Sequence, residues 1–266
     1  MKIAIIGAGN LGKSIGKGLI QKGGIDSLYL TRRNVSTLAD LESKSNVILT
    51  TNNVEAVQNS DIIILAVQPR HLEEILKEIQ ADLKENHLII STITGYSIPK
   101  MESILGKDKM IVRAMPNTAI AVGKSMTCIC SNEKGKSGIN TAKNIFESVG
   151  NTLEIPEAQM QAATVVCASG IAFWMRLIRA TTQAAIQLGF DAKEAQELAM
   201  HTANGAANLL ITNGNHPEQE IDKVTTPKGC TIEGLNEMEH KGMSSSLIQG
   251  MVASFQKINN IKKEQI

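Results

Sequence analysis

At 266 residues the chain is longer than the commonest single-domain size and suits two domains. Its 27 basic and 26 acidic residues leave a formal net charge of +1, which gives no basic footprint for nucleic acid and no polybasic membrane anchor. Four cysteines without a C-x-x-C pair and five scattered histidines lead to the expectation of no metal site.

No apolar run approaches the roughly 20 residues that span a bilayer. The apolar start breaks into glycines too soon for a signal-peptide core, so a cytoplasmic protein is expected. In chain order, KIAIIG (2–7) reads as a strand and GNLGKSIGKGLIQKG (9–23) as a helix by its period. SLYLTR (27–32), NVILT (46–50), DIIILAV (61–67) and HLIIST (87–92) read as buried strands, with a helix-like segment at 69–84. KMIVRAMP (109–116), KSMTCIC (124–130) and NTLEIP (151–156) complete the strand-type runs. Alternating strands and helices predict an α/β Rossmann-type domain, a parallel sheet covered on both faces. Cys128 and Cys130 would share one strand face as buried thiols.

After Pro156 the strand pattern stops. Helices are expected over 157–189, 191–213, 217–223, 229–241 and 244–263, punctuated by Gly189, Gly214 and Gly242. The chain therefore divides into a nucleotide-binding domain, 1–155, and an all-α dimerisation and substrate domain, 156–266. Within the second, QAATVVCASGIAFWMRLI (161–178) is apolar on nearly every side. Such a helix is buried all round, and about a hundred helical residues have trouble burying one alone. Burial against a second copy is favoured over a place in the chain's own core.

Gly7-Ala8-Gly9-Asn10-Leu11-Gly12 fits G-x-G-x-x-G directly after a strand and at the opening of a helix, the context that gives the pattern meaning. Gly7 would permit the tight turn, Gly9 the approach of a pyrophosphate, and Gly12 close helix–strand packing. Exposed amides here, with Asn10 and Leu11 in the same cradle, and the positive helix end would attract the phosphates. Where a NAD site places an acid, after the second strand, stand Thr31, Arg32, Arg33 and Asn34. Arginine pairs with a 2′-phosphate and a threonine can donate to it, so NADP is expected over NAD, with at least one arginine a solvated loop charge. Ala66-Val67-Gln68-Pro69 and Thr94-Gly95 follow two more strands at the edge where such sheets bind ligands, and Pro69 would start the next helix. Asn117 follows the sixth strand, placed either to bond a nicotinamide carboxamide or substrate or to serve as a turn residue.

Together the motifs resemble the pyrroline-5-carboxylate reductase family, from GAGNLG through AVQP, STITG, RAMPNT and ASGIAF to TTPKGCTIEGLNEMEHKG, in order over nearly the whole chain. The resemblance implies reduction of the cyclic imine 1-pyrroline-5-carboxylate to L-proline with NADPH or NADH. It implies a homodimer through interleaved helical domains, with decamers in several members. A small-molecule substrate is expected, with neither nucleic acid nor membrane as partner. Carried over by motif, Thr226, Lys228, Gly229, Cys230 and Asn117 would bind substrate, and Thr231 would be the catalytic residue, its hydroxyl meeting the ring nitrogen. A threonine is too weak an acid to protonate that nitrogen, so holding the ring over the nicotinamide carries most of the acceleration.

Thr226 would cap a helix opened by Pro227, leaving the amides of Lys228, Gly229 and Cys230 for a carboxylate. Lys228 stands where the family has glycine. With helical dihedrals that change costs little, whereas a left-handed backbone there costs about 1–2 kcal/mol. Cys167, Ala168, Ile171 and Phe173 also depart from the family's SGSGPAY, Gln68 replaces a lysine and Arg179 a glutamate. Two alternatives follow: a reductase of a different cyclic imine, and a nucleotide-binding scaffold with impaired catalysis. A β-hydroxyacid dehydrogenase is disfavoured, because no lysine between Gly170 and Asp191 is there to move a proton.

Overall fold

Eight strands form where the apolar runs predict them in the computed structural model, which describes residues 1–44 and 46–264, with side chains to 260. They are β1 (Lys2–Ile6), β2 (Ser27–Thr31), β3 (Val47–Thr50), β4 (Ile62–Leu65), β5 (Leu88–Ser91), β6 (Met110–Met115), β7 (Ser125–Ser131) and β8 (Gly150–Glu154). They make one sheet in the order β3-β2-β1-β4-β5-β6-β7-β8. The first six are mutually parallel. β7 runs antiparallel to β6, and β8 parallel to β7, so the last two strands depart from the parallel sheet expected. The connection explains it. A parallel return needs a crossover of a dozen residues or more, and the link from β6 to β7 holds only the short 3₁₀ turn Thr118–Val122.

Helices α1 (Asn10–Lys22), α2 (Ala39–Glu42), α3 (Asn53–Gln58), α4 (Pro69–Ile79), α5 (Ile98–Leu105) and α6 (Ile139–Glu147) cover the sheet. Successive strand residues point to opposite faces, and both faces are apolar here. Ile3, Ile5, Leu28, Leu30, Ile62 and Ile64 pack with Ile15 and Leu19 of α1 and Phe146 of α6. Ala4, Ile6, Ile63, Leu65 and Ile89 pack with Val57 of α3, Leu72 and Leu76 of α4 and Met101 of α5. Full burial of each large side chain contributes about 1.5–3 kcal/mol. Cys128 and Cys130 lie buried in this second layer, on one face of β7 as expected.

Past β8 come α7 (Met160–Ala163), a π-helical segment (Thr164–Ser169), α8 (Gly170–Gln187), α9 (Ala192–Asn213), α10 (Pro217–Val224), α11 (Cys230–His240) and α12 (Met243–Glu264). Gly189, Gly214 and Gly242 all take positive φ at helix ends. By packing, the chain falls into two compact units, Met1–Ser169 with the end of α12 from Phe255, and Gly170–Ser254. The first unit runs past the last strand because Met160 of α7 joins the second core layer.

In the second unit α8 and α9 pack together, yet Ala195 and Ala199 are its only buried apolar residues among those described. Trp174 is 61% exposed, and Val166 and Met175 are also exposed, so the segment 161–178 is not an internal core helix of the single chain. The helical stretch Glu157–Gln187 is long and apolar enough to cross a membrane by length and composition alone. That corrects the expectation that no run approaches spanning length. Thr164, Ser169 and Arg176 interrupt the apolar run, yet the mean hydropathy of the stretch stays high.

Candidate active site

Register brings the carboxyl ends of β1, β2, β4, β5 and β6 to one edge, since Ile6 pairs with Thr31 and Leu65, Leu65 with Ser91, and Ser91 with Arg113. In an open α/β sheet the crevice at this edge, beside the switch in strand order, is where ligands bind. β1 lies between β2 and β4 at that switch.

The glycine turn is built as its residue types demand. Gly7 has φ +91°, and a Cβ there would strike Val67 Cγ1 at the crevice. A Cβ on Gly12 would come within 2.6 Å of the Gly7 carbonyl oxygen, so only glycine lets α1 sit this close to β1. A Cβ on Gly9 would meet nothing within 4 Å, which leaves its face open to a ligand. Gly7 and Ala8 donate to the Thr31 carbonyl, and Gly9 donates back to Gly7. Lys13 is the first residue of α1 to donate along the helix, to the Gly9 carbonyl. The amides of Asn10, Leu11 and Gly12 precede it and lie outside the intrahelical ladder. Gly9 offers no side-chain cap.

Thr31 and Arg32 are placed differently from one another. Thr31 is buried; its hydroxyl donates to Asn53 Oδ1 (2.7 Å) and accepts from the Gly7 amide (3.3 Å), so it shapes the turn. Arg32 Nη1 reaches back to the Ala8 carbonyl (3.3 Å), whereas Arg33 is exposed. Gln68 is the N-cap of α4 and Pro69 opens that helix, as expected, with Ala66 and Val67 half-buried before them. Thr94 is exposed at the same edge and donates to Met115 Sδ; Gly95 turns there with φ +80°.

Asn117 has a structural task. Its Oδ1 accepts from the Ala119 amide, capping the 3₁₀ turn, and its Nδ2 donates to the Cys167 carbonyl (3.0 Å). It thus ties the turn after β6 to the π-helical segment. Beyond that tie, Cys128 Sγ lies 3.8 Å from Cys167 Sγ. The hydrogen bond from Cys128 draws the Cys167 thiol down to about 7 against the opposing effect of burial. The same bond, then burial, pushes the Cys128 thiol well up.

Two residues at this edge were not singled out from the sequence. Arg113, 5% exposed on β6, pairs through Nη1 with Glu157 (3.0 Å), and Glu157 also accepts the Ile98 amide at the start of α5. The two line a cavity of ≈340 Å3 with Gly95, Ser97 and Gln161. An arginine inside an apolar strand run is itself a signal, because a buried charge needs a partner.

The loop before α11 folds otherwise than expected. Gly229, not Thr226, is the N-cap, and α11 starts at Cys230. The Gly229 amide donates to the Thr226 carbonyl (3.0 Å), closing a β-turn with Pro227 second and Lys228 third. Lys228 has φ +59°, the single non-glycine residue with positive φ among those described. The third position of a proline-led type II turn requires that conformation, which overturns the cap at Thr226. The amides free at the helix start are accordingly those of Cys230, Thr231 and Ile232, not Lys228 and Gly229. A Cβ on Gly229 would strike Thr226 Oγ1. Thr226, Lys228 and Cys230 are exposed, and Thr231 is half-buried.

Comparison with known proteins agrees with this geometry. A profile described as "Pyrroline-5-carboxylate reductase dimerisation" matches residues 157–261, and one described as "NADP oxidoreductase coenzyme F420-dependent" matches residues 2–95. Pyrroline-5-carboxylate reductase 2 of Dictyostelium discoideum is 40% identical over 96% of this chain and 91% of its own. The chain belongs to the pyrroline-5-carboxylate reductase family. Pyrroline-5-carboxylate reductase 1 of the same organism is 45% identical over 96% of this chain, which spans 49% of that protein's length. Among solved structures, a pyrroline-5-carboxylate reductase from Coxiella burnetii is 30% identical, with a TM-score of 0.91 over 97% of each chain. The fold is also that of a Plasmodium falciparum pyrroline carboxylate reductase solved with NADP bound, at 24% identity and a TM-score of 0.87 over 98% of each chain. The family profile marks the exposed helices as a dimerisation region.

Proposed function

We infer that this chain reduces 1-pyrroline-5-carboxylate to L-proline, the final step of proline biosynthesis, using a nicotinamide dinucleotide. The observation that carries this is the glycine turn at the β1–β4 crevice, open at Gly9, in a chain of this family. The site fits a dinucleotide, because a side chain at Gly9 would occupy the space its pyrophosphate needs. When bound, the reduced nicotinamide supplies the hydride. Asn10, Leu11 and Gly12 offer amides to the phosphates at the positive end of α1. Ala66, Val67, Gln68, Pro69, Thr94 and Gly95 line the ligand edge, and Asn117 fixes the turn beside them. The amides at the start of α11 suit the substrate carboxylate, with Thr226, Lys228, Gly229 and Cys230 around them, and Thr231 Oγ1 orients the ring nitrogen. No strong acid is needed there, because orientation of an already electrophilic imine supplies most of the rate.

NADPH is preferred over NADH. Arg33 is exposed and has no partner among the described residues, which leaves it for a 2′-phosphate. Arg32 supports the glycine turn from the same loop. The functional unit is a homodimer, with decamers built from dimers on the family pattern, and the apolar face of Glu157–Gln187 meets a second copy rather than a bilayer. The division near Pro156 into nucleotide and helical domains is supported by the last strand ending at Glu154 and the dimerisation profile starting at 157. Cytoplasmic placement is supported by four free cysteines. Neither nucleic acid nor membrane is a partner in this reading, in keeping with the net charge of +1.

The deciding assay is NADPH oxidation with 1-pyrroline-5-carboxylate. Turnover that collapses in Thr231→Ala supports the assignment. Turnover on another cyclic imine alone favours a different imine reductase, and dinucleotide binding without turnover on any imine favours a scaffold. Arg32→Asp with Arg33→Asp lowers the NADPH-over-NADH ratio of kcat/KM by about tenfold or more, the worth of a charge-assisted contact. An unchanged ratio removes the arginine argument.

A further inference from the structure

Cys128 and Cys167 form a pair of sulfurs that the reaction does not use. Both belong to the sheet-bearing unit, with 3.8 Å between their Sγ atoms. Cys128 is buried on β7, opposite Met115 of β6. Cys167 is half-buried, packed against the second core layer, and stands in the π-helical segment Thr164–Ser169, an irregular turn of a kind that recurs at functional sites. Cys167 thus keeps part of its surface in solvent, the side from which a small oxidant would reach it, and Cys128 lies behind it. The lowered Cys167 thiol supplies the reactive thiolate near neutral pH.

We propose that Cys128 and Cys167 are a thiol modification site, closed by hydroperoxides into a reversible disulfide that slows turnover. The Cys167 thiolate attacks a peroxide oxygen, the O–O bond breaks, and the departing oxygen takes a proton to leave as water or alcohol. Cys167 is then a sulfenic acid. The Cys128 sulfur attacks the Cys167 sulfur, the S–O bond breaks, and the oxygen leaves as water with the Cys128 proton. Two thiols are oxidised by two electrons in all, and one hydroperoxide is reduced by two.

A disulfide needs sulfurs about 2.05 Å apart, so the pair must close by about 1.7 Å. β7 is held on both sides, by β6 and β8, so the π-helical segment is the part that moves. Its Cys167 carbonyl accepts from Asn117 Nδ2, which also caps the turn at the ligand edge. Closure therefore shifts Asn117. The loss of turnover rests on the proposed function; formation of the disulfide does not.

The test treats the reduced full-length protein with hydrogen peroxide, blocks remaining thiols with N-ethylmaleimide and maps the peptides. The expected result is a peptide linked at Cys128–Cys167 and a fall in kcat of about ten- to a hundredfold, as misplacement near 1 Å can produce. Dithiothreitol reverses both. Cys167→Ser, the residue the family resemblance gives at this position, stays active when reduced and keeps its activity in peroxide. The proposal is overturned by no linked peptide, by Cys167 passing to sulfinic acid without a link, by a link that leaves kcat unchanged, or by equal peroxide loss in Cys167→Ser. If the reduced protein turns over no imine, the functional assignment fails instead. Dinucleotide affinity then replaces kcat as the readout, and a linked form that binds as tightly as the reduced form overturns the switch.

Discussion

In the sheet-bearing unit Ile3, Ile5, Ile63, Leu65 and Phe146 have no exposed surface, while in the helical unit Leu188 is 81% and Ile211 79% exposed. The two regions have comparable apolar composition but opposite burial. Sheet strands can hide both faces under helices of the same chain, so their apolar residues are satisfied locally. A pair of long helices such as α8 and α9 can bury only the stripe between them, here the small residues Ala195 and Ala199. An apolar surface left over on that scale marks an association surface. The first region encodes a whole core and the second encodes half of one.

The largest expected effect comes from breaking that second half. Trp174→Glu with Met175→Glu places two charges on exposed apolar positions of α8. If a second copy buries both side chains, their loss costs about 3–6 kcal/mol, a hundred- to ten-thousandfold in the dimer dissociation constant. Sedimentation at micromolar concentration should show monomer, and far-ultraviolet circular dichroism should show loss of helix with the sheet retained. A dimer as tight as the parent would place the interface elsewhere.

A smaller effect separates the regions from the other side. Glu157→Ala strands the buried Arg113 guanidinium and leaves the Ile98 amide at the start of α5 without its acceptor. Removing one member of a buried pair costs about 3–5 kcal/mol, and the lower end is expected because Glu157 keeps 29% of its side chain in solvent. Denaturant titration should show the loss, whereas the fraction of dimer at low denaturant should hold. A loss under 1 kcal/mol would mean water replaces the carboxylate, and the pair is then not a structural tie.

These differences also mark how far the sequence could be read. The strands were legible because each is a short run of Ile, Leu or Val, a pattern that a sheet covered on both faces imposes. The glycine turn was legible because Gly7 and Gly12 are required by sterics that no other residue meets. The reversal of β7 has no mark in KSMTCIC itself; it is carried by the link of about seven residues between the runs 109–116 and 124–130, too short for a parallel crossover. Thr31 closes β2, and its hydroxyl faces inward to Asn53 and Gly7, a direction that a threonine beside a polar turn does not announce. Arg113 is marked by its place inside an apolar strand run, but its partner Glu157 lies far along the chain and carries no mark of the pairing. At Thr226–Gly229 the reading failed for a particular reason. Proline's fixed φ suits the first helical position and the second turn position equally. A glycine at 228 would have announced the turn, and lysine conceals it.

The smallest effect tests that lysine. At φ +59° a side chain with a Cβ costs about 1–2 kcal/mol. Lys228→Gly removes this cost but gives the unfolded chain more freedom, worth about 0.5–1 kcal/mol in the opposite direction. The net gain in stability is therefore about 0.5–1 kcal/mol, a rise of about 2 °C in Tm for a chain of this size. Function should move the other way. If the ammonium stands beside the amides of Cys230, Thr231 and Ile232 and helps hold a carboxylate, its removal raises KM for 1-pyrroline-5-carboxylate with little change in kcat. Lys228→Arg keeps the charge and the strained backbone, so it should leave both KM and Tm near the parent values. A glycine variant that gains stability with KM unchanged would show that the strain serves no ligand.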